Sequence, residues 1–227
     1  MTAHCEAGEH AISGGFLAPE TSYASVSTVK GPRGWTASLV GYGPLKVSAY
    51  CSDGLRAETR SRTTQVDPDG GARTNVVAKC PRGTVAVAGG YETVDADNSQ
   101  HDLVAFSSRR SSARAWTVSV FNGAGQPTKI KVTVHCLDDA DVNVRSKQSQ
   151  PIPDNSAGSA VASCDQGEQL LSGGYKTNPK PDYSNQTGPD LFYYRSSRSG
   201  RRSWTASARN YGDNVNGRIT TFAYCLA

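Results

Sequence analysis

Apolar and polar residues alternate along most of this chain, as they do in β-strands that are buried on one face. Val, Thr, Ser and Tyr dominate the alternating stretches, and helix-favouring runs are scarce. Two such stretches occur three times each: one starts at Trp35, Trp116 and Trp204, and the other covers 45–50, 130–135 and 219–224. The pattern predicts an all-β protein.

The alternating stretches belong to a longer motif that is written three times. Each copy opens with Cys-x-x-Gly, continues with Gly-Gly-aromatic and a tryptophan, and closes on a cysteine. Copy one spans 5–51, copy two 80–136 and copy three 164–225, with connectors at 52–79 and 137–163. Such self-similarity indicates one supersecondary unit used three times. A unit of this size cannot cover its own apolar face, so we expect a single domain over 1–227.

Each copy predicts four strands. The first ends at the double glycine, where glycine permits positive φ or a close backbone approach, and the next aromatic points inward. If the two cysteines of a copy meet, its first and fourth strands are antiparallel neighbours in a Greek-key-like unit. Three four-stranded units around a pseudo-threefold axis make a β-prism, and a β-trefoil is the alternative.

The connectors predict additional strands. The segment before Cys80 matches the segment before Cys164, whereas only four residues precede Cys5. Copy one has therefore lost this lead-in strand or borrows one from elsewhere. Segments 55–66 and 141–152 are expected to add edge strands or to strap adjacent sheets together.

The six cysteines are interpreted as three disulfides within the copies, Cys5–Cys51, Cys80–Cys136 and Cys164–Cys225. Sequence alone allows fifteen pairings, and repeat symmetry favours this one or a cyclic version between copies. Each bridge would close a loop of roughly 50 residues and contribute about 4 kcal/mol in the chain-entropy model. Zinc is the competing interpretation, but the cysteines lie far apart and form no Cys-x-x-Cys pair.

Charge and composition narrow the function classes. A net charge of +4 over 227 residues is mild and does not indicate a nucleic-acid binder. No segment approaches about 18 consecutive apolar residues, so we expect no membrane insertion. Disulfides persist in oxidising compartments, which predicts a secreted protein. The start of the chain has no signal peptide, and we expect a mature or trimmed form.

No motif in the chain indicates catalysis. The four histidines show no metal-ligand spacing, and neither a nucleophile elbow nor a phosphate-binding glycine loop occurs. Acidic runs at 95–98 and 138–141 do not fit the twelve-residue calcium loop. We predict a non-enzymatic protein with no cofactor and no metal.

The turns between the second and third strands are rich in basic residues. Such turns are either solvated surface or an electropositive rim for an anionic partner. The candidate anion-binding residues are Lys30, Arg33, Arg109, Arg110, Arg114, Arg198, Arg201 and Arg202.

Aromatic residues offer a second candidate surface. The tryptophans occupy identical places in the copies, which favours a core layer over a sugar platform. Copy three has aromatics without counterparts, and neighbours on a strand cannot all face inward. The candidate partner or glycan contacts are Tyr183, Phe192, Tyr193 and Tyr194.

The order Cys-x-x-Gly, Gly-Gly-aromatic, Trp and alternating strand to Cys resembles a repeat of small exported proteins of actinobacteria. Lectin-like modules and adaptor subunits of secreted antibacterial assemblies, such as umbrella toxin particles, are the functional neighbours that this resemblance suggests. We therefore expect a secreted binding module that docks another secreted protein as an adaptor or structural subunit. The alternative is a lectin-like binder of surface glycans or anionic wall polymers.

Overall fold

The computed structural model describes residues 1–68, 73–94, 103–123, 126–178, 190–212 and 215–227. These residues form seventeen strands and no helix, so the prediction of an all-β fold is confirmed. The strands are β1 (Thr2–His4), β2 (His10–Leu17), β3 (Tyr23–Lys30), β4 (Gly34–Val40), β5 (Lys46–Ser52), β6 (Glu58–Val66), β7 (Arg73–Lys79), β8 (Thr84–Thr93), β9 (Leu103–Ser112), β10 (Ala115–Asn122), β11 (Thr128–Asp138), β12 (Val142–Gln148), β13 (Ala157–Ser163), β14 (Gln169–Asn178), β15 (Leu191–Arg198), β16 (Ser203–Asn210) and β17 (Arg218–Leu226).

The strands pair into three antiparallel sheets. The first sheet has the order β1-β4-β3-β8-β11-β6, and the second has the order β12-β17-β14-β9-β10-β7. The third has five strands, in the order β13-β16-β15-β2-β5. The first and fourth strands of each copy are antiparallel neighbours, as predicted, in the pairs β2–β5, β8–β11 and β14–β17.

Each sheet combines strands from two copies. In the first sheet, β3 and β4 of copy one join β8 and β11 of copy two. The second sheet joins copies two and three in the same way, and the third joins copies three and one. The sequence predicted four strands of one copy in each sheet, and on this point the structure differs. The seams are short: β3 meets β8 through the single pair Ser27 and Tyr91.

The double glycine makes this sharing possible. The prediction that the first strand ends at this pair is wrong, because β2, β8 and β14 continue through it. A Cβ on Gly14 would lie within 3.0 Å of the Trp35 indole, and one on Gly15 would lie within 3.0 Å of the backbone at Ser196 in copy three. The same two contacts recur for Gly89 with Trp116, Gly90 with Ser27, Gly173 with Trp204 and Gly174 with Ser108.

The tryptophans form the centre of the core, as predicted. Their exposed fractions are 2% for Trp35, 1% for Trp116 and 2% for Trp204. Each indole donates a hydrogen bond to the serine eight residues earlier: Trp35 to Ser27 at 3.2 Å, and Trp116 to Ser108 and Trp204 to Ser196 at 3.0 Å. The aromatics after the double glycines, Phe16, Tyr91 and Tyr175, are also buried, as predicted.

The predicted disulfides are confirmed. Cys5–Cys51, Cys80–Cys136 and Cys164–Cys225 each close one copy. Between the copies, Ile12, Val87 and Leu171 pack in one apolar cluster. Serine hydroxyls beside this cluster link the copies through hydrogen bonds. Ser13 of copy one donates to the Leu171 carbonyl of copy three at 2.6 Å, and Ser172 of copy three donates to the Val87 carbonyl of copy two.

The connectors supply strands at the sheet edges. The lead-in strands β7 and β13 pair with β10 and β16, and copy one keeps a three-residue counterpart, β1, that pairs with β4. β6 and β12 lie on the outer edges of β11 and β17, and we call them the outer strands. Within the described residues, no outer strand covers β5.

Substitution of Gly14 tests the contact between glycine and indole. We expect Gly14→Ala to lower the free energy of unfolding by about 1–3 kcal/mol, because overpacking forces the indole or the strand to move. The measurement is denaturant unfolding followed by tryptophan fluorescence. Gly54→Ala is the matched control, since a Cβ there meets nothing within 4 Å. Equal stability of the two variants would contradict the packing role of the glycine.

Candidate functional site

The outer edge of β5 is the first feature that distinguishes one sheet from the others. β11 pairs with β6 over nine residues and β17 pairs with β12 over seven, so both of these fourth strands are covered on each side. β5 pairs with β2 alone among the described strands. Its burial differs accordingly: Cys51 is exposed, whereas Cys136 and Cys225 have exposed fractions of 2% and 0%.

A basic cleft lies near the end of β5 that contains Tyr50 and Cys51. Arg198, Arg201 and Arg202 line an open cavity of about 880 Å³, together with the loop 166–169 and Ser203. Arg198 connects the cleft to β5, because its backbone N–H donates to the Tyr50 hydroxyl at 2.7 Å. Its guanidinium also lies over the Tyr50 ring, 4.5 Å from the centroid.

The negative charge of Glu168, the acidic residue that lines the cleft, is balanced by hydrogen-bond donors around it. Glu168 accepts hydrogen bonds at 2.8 Å from the Asp165 backbone N–H, the Asn143 amide and the Arg145 guanidinium. The Asp165 N–H and these side chains lower the pKa of Glu168. Its side chain is only 10% exposed, so the cleft presents mainly the arginine cations to solvent.

The eight predicted basic residues do not share one role. Counted from the tryptophan, Arg33, Arg114 and Arg202 occupy the same position. The carbonyl of each accepts a hydrogen bond from the opening cysteine of its copy at 2.8 Å. Their side chains and those of Lys30 and Arg201 are exposed.

The other three basic residues make contacts within the protein. Arg110 donates to three backbone carbonyls, and Arg198 donates to the Leu170 carbonyl. Burial lowers the pKa of both guanidinium groups. Arg109 lies over the Phe222 ring, 5.9 Å from its centroid. The structure thus brings Arg198, Arg201 and Arg202 together in one cleft, and of these Arg201 and Arg202 have exposed side chains.

The aromatic candidates separate across the surface and the core. Tyr193 is 2% exposed and stacks on Tyr175 with centroids 3.9 Å apart, so it is a core residue and not a partner contact. Phe192 is half-buried between Tyr23 and Tyr211, with centroid distances of 4.8 Å and 5.5 Å. Tyr194 is also half-buried, whereas Tyr183 and the acidic run 95–98 lie outside the described residues.

A second cavity, of about 410 Å³, lies in the first sheet beside His135. His135 is 1% exposed, and neither ring nitrogen has a hydrogen-bond partner of good geometry. Burial lowers the pKa of His135 to about 4, and the nearby Ile12 carbonyl opposes this shift. The imidazole is therefore neutral at physiological pH.

Two clusters combine cysteines with a carboxylate, Cys5, Glu9 and Cys51, and Cys164, Glu168 and Cys225. Their cysteines are oxidised to disulfides and offer no thiolate to a metal. Among the described residues, no helix has the length and apolar character needed to span a membrane.

Comparison with known proteins gives no family assignment. The chain matches no protein-family model, and no curated protein is detectably similar to it in sequence. The functional argument therefore depends on the geometry of the chain itself.

Two features of the site were missed by the sequence interpretation. The open edge of β5 depends on which sheet each outer strand joins, and spacing along the chain does not determine that. The cavity beside His135 has a sequence signal: the residue before the closing cysteine is Tyr50, His135 or Tyr224, and the histidine departs from the pattern.

The exposure of Cys51 predicts an order of reduction for the disulfides. Because thiol–disulfide exchange requires access to a sulfur atom, we expect a mild reductant to open Cys5–Cys51 before the other two bridges. Timed alkylation followed by peptide mass spectrometry measures this order. In denaturant the three bridges should open together, and earlier opening of Cys80–Cys136 in the native protein would contradict the prediction.

The buried imidazole predicts a loss of stability in mild acid. The unfolded state binds a proton near pH 6.5 and the folded state only near pH 4, so stability present above pH 6.5 falls as the pH decreases through this window. The expected loss at pH 5 is about 2 kcal/mol. Unfolding free energies at pH 7 and pH 5 measure it, with His135→Tyr as the non-titrating control. Parallel curves for the two proteins would show that His135 is not the titrating group.

Proposed function

We propose that this protein is a secreted, non-catalytic module that docks another protein, as an adaptor or structural subunit of an extracellular assembly. The observation that carries the proposal is the outer edge of β5, which no strand covers within the described part of the chain. The docking element is an extended segment of the partner, which adds to the third sheet as an antiparallel strand.

Strand addition is supported by the two counterparts inside the molecule. β6 and β12 each follow a fourth strand, cross to the next sheet and cover the edge of the fourth strand there. An exposed edge presents unpaired N–H and C=O groups, which form a template for another strand. A segment on β5 would also cover Cys51, as the outer strands cover Cys136 and Cys225.

Charge defines the chemistry of the partner segment. β6 begins opposite the closing cysteine, with Glu58 paired to Cys136, so a segment on β5 would begin opposite Cys51. The arginine cleft adjoins β5 at that end through Arg198 and Tyr50. Carboxylates at the N-terminal end of the segment would therefore meet Arg201 and Arg202, and arginine binds carboxylates in bidentate geometry.

The proposal includes the arrangement of the sheets. A pseudo-threefold β-prism is supported by the cyclic sharing of strands between copies and by the cluster of Ile12, Val87 and Leu171. The three disulfides support an oxidising, extracellular location. The resemblance to exported actinobacterial repeat proteins agrees with both points.

An anionic polymer is the second candidate ligand. The arginine cleft is open and has room for several sugar or phosphate units. In this alternative the protein is a lectin-like binder of anionic wall polymers, which requires the cleft but not the edge of β5. The two functions therefore predict different footprints on the same face.

Selection from a displayed library of linear nine-residue segments tests strand docking. We expect selected segments to carry acidic residues near their N-terminal ends and to protect the amides of Lys46–Ser52 from hydrogen exchange. Arg201→Glu with Arg202→Glu should weaken binding roughly tenfold or more, because charge-assisted hydrogen bonds are lost. Arg114→Glu is the matched control, since Arg114 has the same turn position as Arg202 in another copy.

Three outcomes would overturn strand docking. Selected segments that leave the β5 amides unprotected would place binding elsewhere. Protection of these amides on concentrating the protein alone would identify a second copy as the occupant. Binding of a polyanion that requires Arg201 and Arg202, without any selected segment protecting β5, would establish the second candidate function.

A further inference from the structure

The 410 Å³ cavity of the first sheet has two counterparts in the molecule, and both are filled. Val29, on its wall, lies six residues before Trp35, as Arg110 lies before Trp116 and Arg198 before Trp204. His135, also on its wall, precedes the closing cysteine, as Tyr50 and Tyr224 do. Valine and histidine thus replace an arginine and a tyrosine.

The arginine and tyrosine are coupled in both filled positions. The Arg110 N–H donates to the Tyr224 hydroxyl at 2.8 Å, and the Arg198 N–H donates to the Tyr50 hydroxyl at 2.7 Å. In the first sheet, His135 keeps the ring contact of these tyrosines, with its centroid 5.9 Å from that of Trp35. The shorter imidazole and the Val29 side chain leave space where the guanidinium lies in the other two sheets.

Backbone carbonyls hold the guanidinium groups in the filled positions. Arg110 donates to the carbonyls of Ser112 at 3.2 Å, Ala113 at 3.3 Å and Val142 at 3.1 Å. Arg198 donates to the carbonyl of Leu170 at 2.6 Å. Arg110 and Arg198 together thus identify four backbone carbonyls as guanidinium acceptors, and we call this set of four carbonyls the cradle.

The counterparts of all four acceptors line the cavity. Gly31 and Pro32 have the same distances from Trp35 along the chain as Ser112 and Ala113 have from Trp116. Ala57 follows Cys51 by the same interval as Val142 follows Cys136, and Ala11 follows Cys5 as Leu170 follows Cys164. The lining residues include Ala11, Gly31, Pro32 and Ala57. The residues that correspond to the cradle are therefore present, and Val29 stands in the place of the arginine.

The lysine on the cavity wall has an anionic partner. The ammonium of Lys131 lies 2.8 Å from a Glu92 carboxylate oxygen. Thr133, where the second sheet has Phe222, exchanges a hydrogen bond with Thr28 at 2.8 Å. The buried His135 ring makes no hydrogen bond of good geometry and, in its neutral form, has one nitrogen that accepts.

We propose that this cavity binds a guanidinium group supplied from outside the chain, either the side chain of an arginine in a partner protein or a free arginine derivative. The planar group would occupy the place that Arg110 and Arg198 fill in the other sheets. The carbonyls at 11, 31, 32 and 57 would accept its N–H groups, and the outer strand β6 would cover one side.

Titration of the folded, oxidised protein with N-acetyl-arginine amide tests this proposal, with amide chemical shifts as the readout. We expect shifts at Ala11, Gly31 and Val29, and at least roughly tenfold weaker binding of N-acetyl-lysine amide, which lacks the planar fork. An arginine flanked by glycines distinguishes the sources: tighter binding of this peptide indicates a partner chain, and equal binding indicates a free derivative. Shifts produced by acetate or phosphate instead would overturn the proposal.

Two variants act in opposite directions at this site. Val29→Arg should fill the cradle from within and abolish binding, whereas Val29→Leu, the matched control, should retain it. His135→Tyr should preserve or strengthen binding, because the tyrosine supplies the kind of ring over which Arg198 lies in the third sheet.

If Val29→Arg does not fold, Thr59→Trp on the exposed face of β6 blocks the mouth of the cavity. Undiminished binding in Val29→Arg or Thr59→Trp, or loss in His135→Tyr, would contradict the assigned geometry.

Discussion

The close approach of glycine to two partners is the constraint on which this structure depends. The first glycine of each pair faces an indole within its copy, and the second faces the backbone of a neighbouring copy. Any side chain at the second position would separate the two copies at a seam of one or two residue pairs. Because the sheets are shared in a cycle, a defect at one seam disturbs strands of two copies.

The three sheets are variations of one plan, and each has a different complement of parts. The second sheet has both the outer strand β12 and the pair of Arg110 and Tyr224. The first has the outer strand β6 but lacks the arginine and tyrosine, which leaves a cavity. The third has Arg198 and Tyr50 but no outer strand among the described residues, which leaves an edge. The complete sheet shows what the other two lack.

Much of the fold was predictable because its signals are local and repeated. Alternation gave the strands, equal offsets gave the copies, and the burial of Trp35, Trp116 and Trp204 followed from their identical positions. Sharing of strands was not predictable, since a glycine pair indicates a close approach without identifying the chain segment that approaches. The site was less predictable still. The residues around Arg110 and Arg198 have the composition of a solvated turn. Their guanidinium groups nevertheless donate hydrogen bonds to the backbone carbonyls of Val142 and Leu170.

Both departures from the complete sheet have a physical cost. A buried polar group without a hydrogen bond of good geometry, such as His135, is unfavourable by about 1–3 kcal/mol, and an edge that no described strand covers, such as that of β5, is a template for association with other strands. The second sheet shows that this sequence pattern can satisfy both positions with ordinary residues. The stability of the fold alone therefore does not account for Val29 and His135, or for the edge of β5 that no described strand covers. In the two proposals made above, a ligand in the cavity and a partner strand on β5 would each offset the cost of one departure.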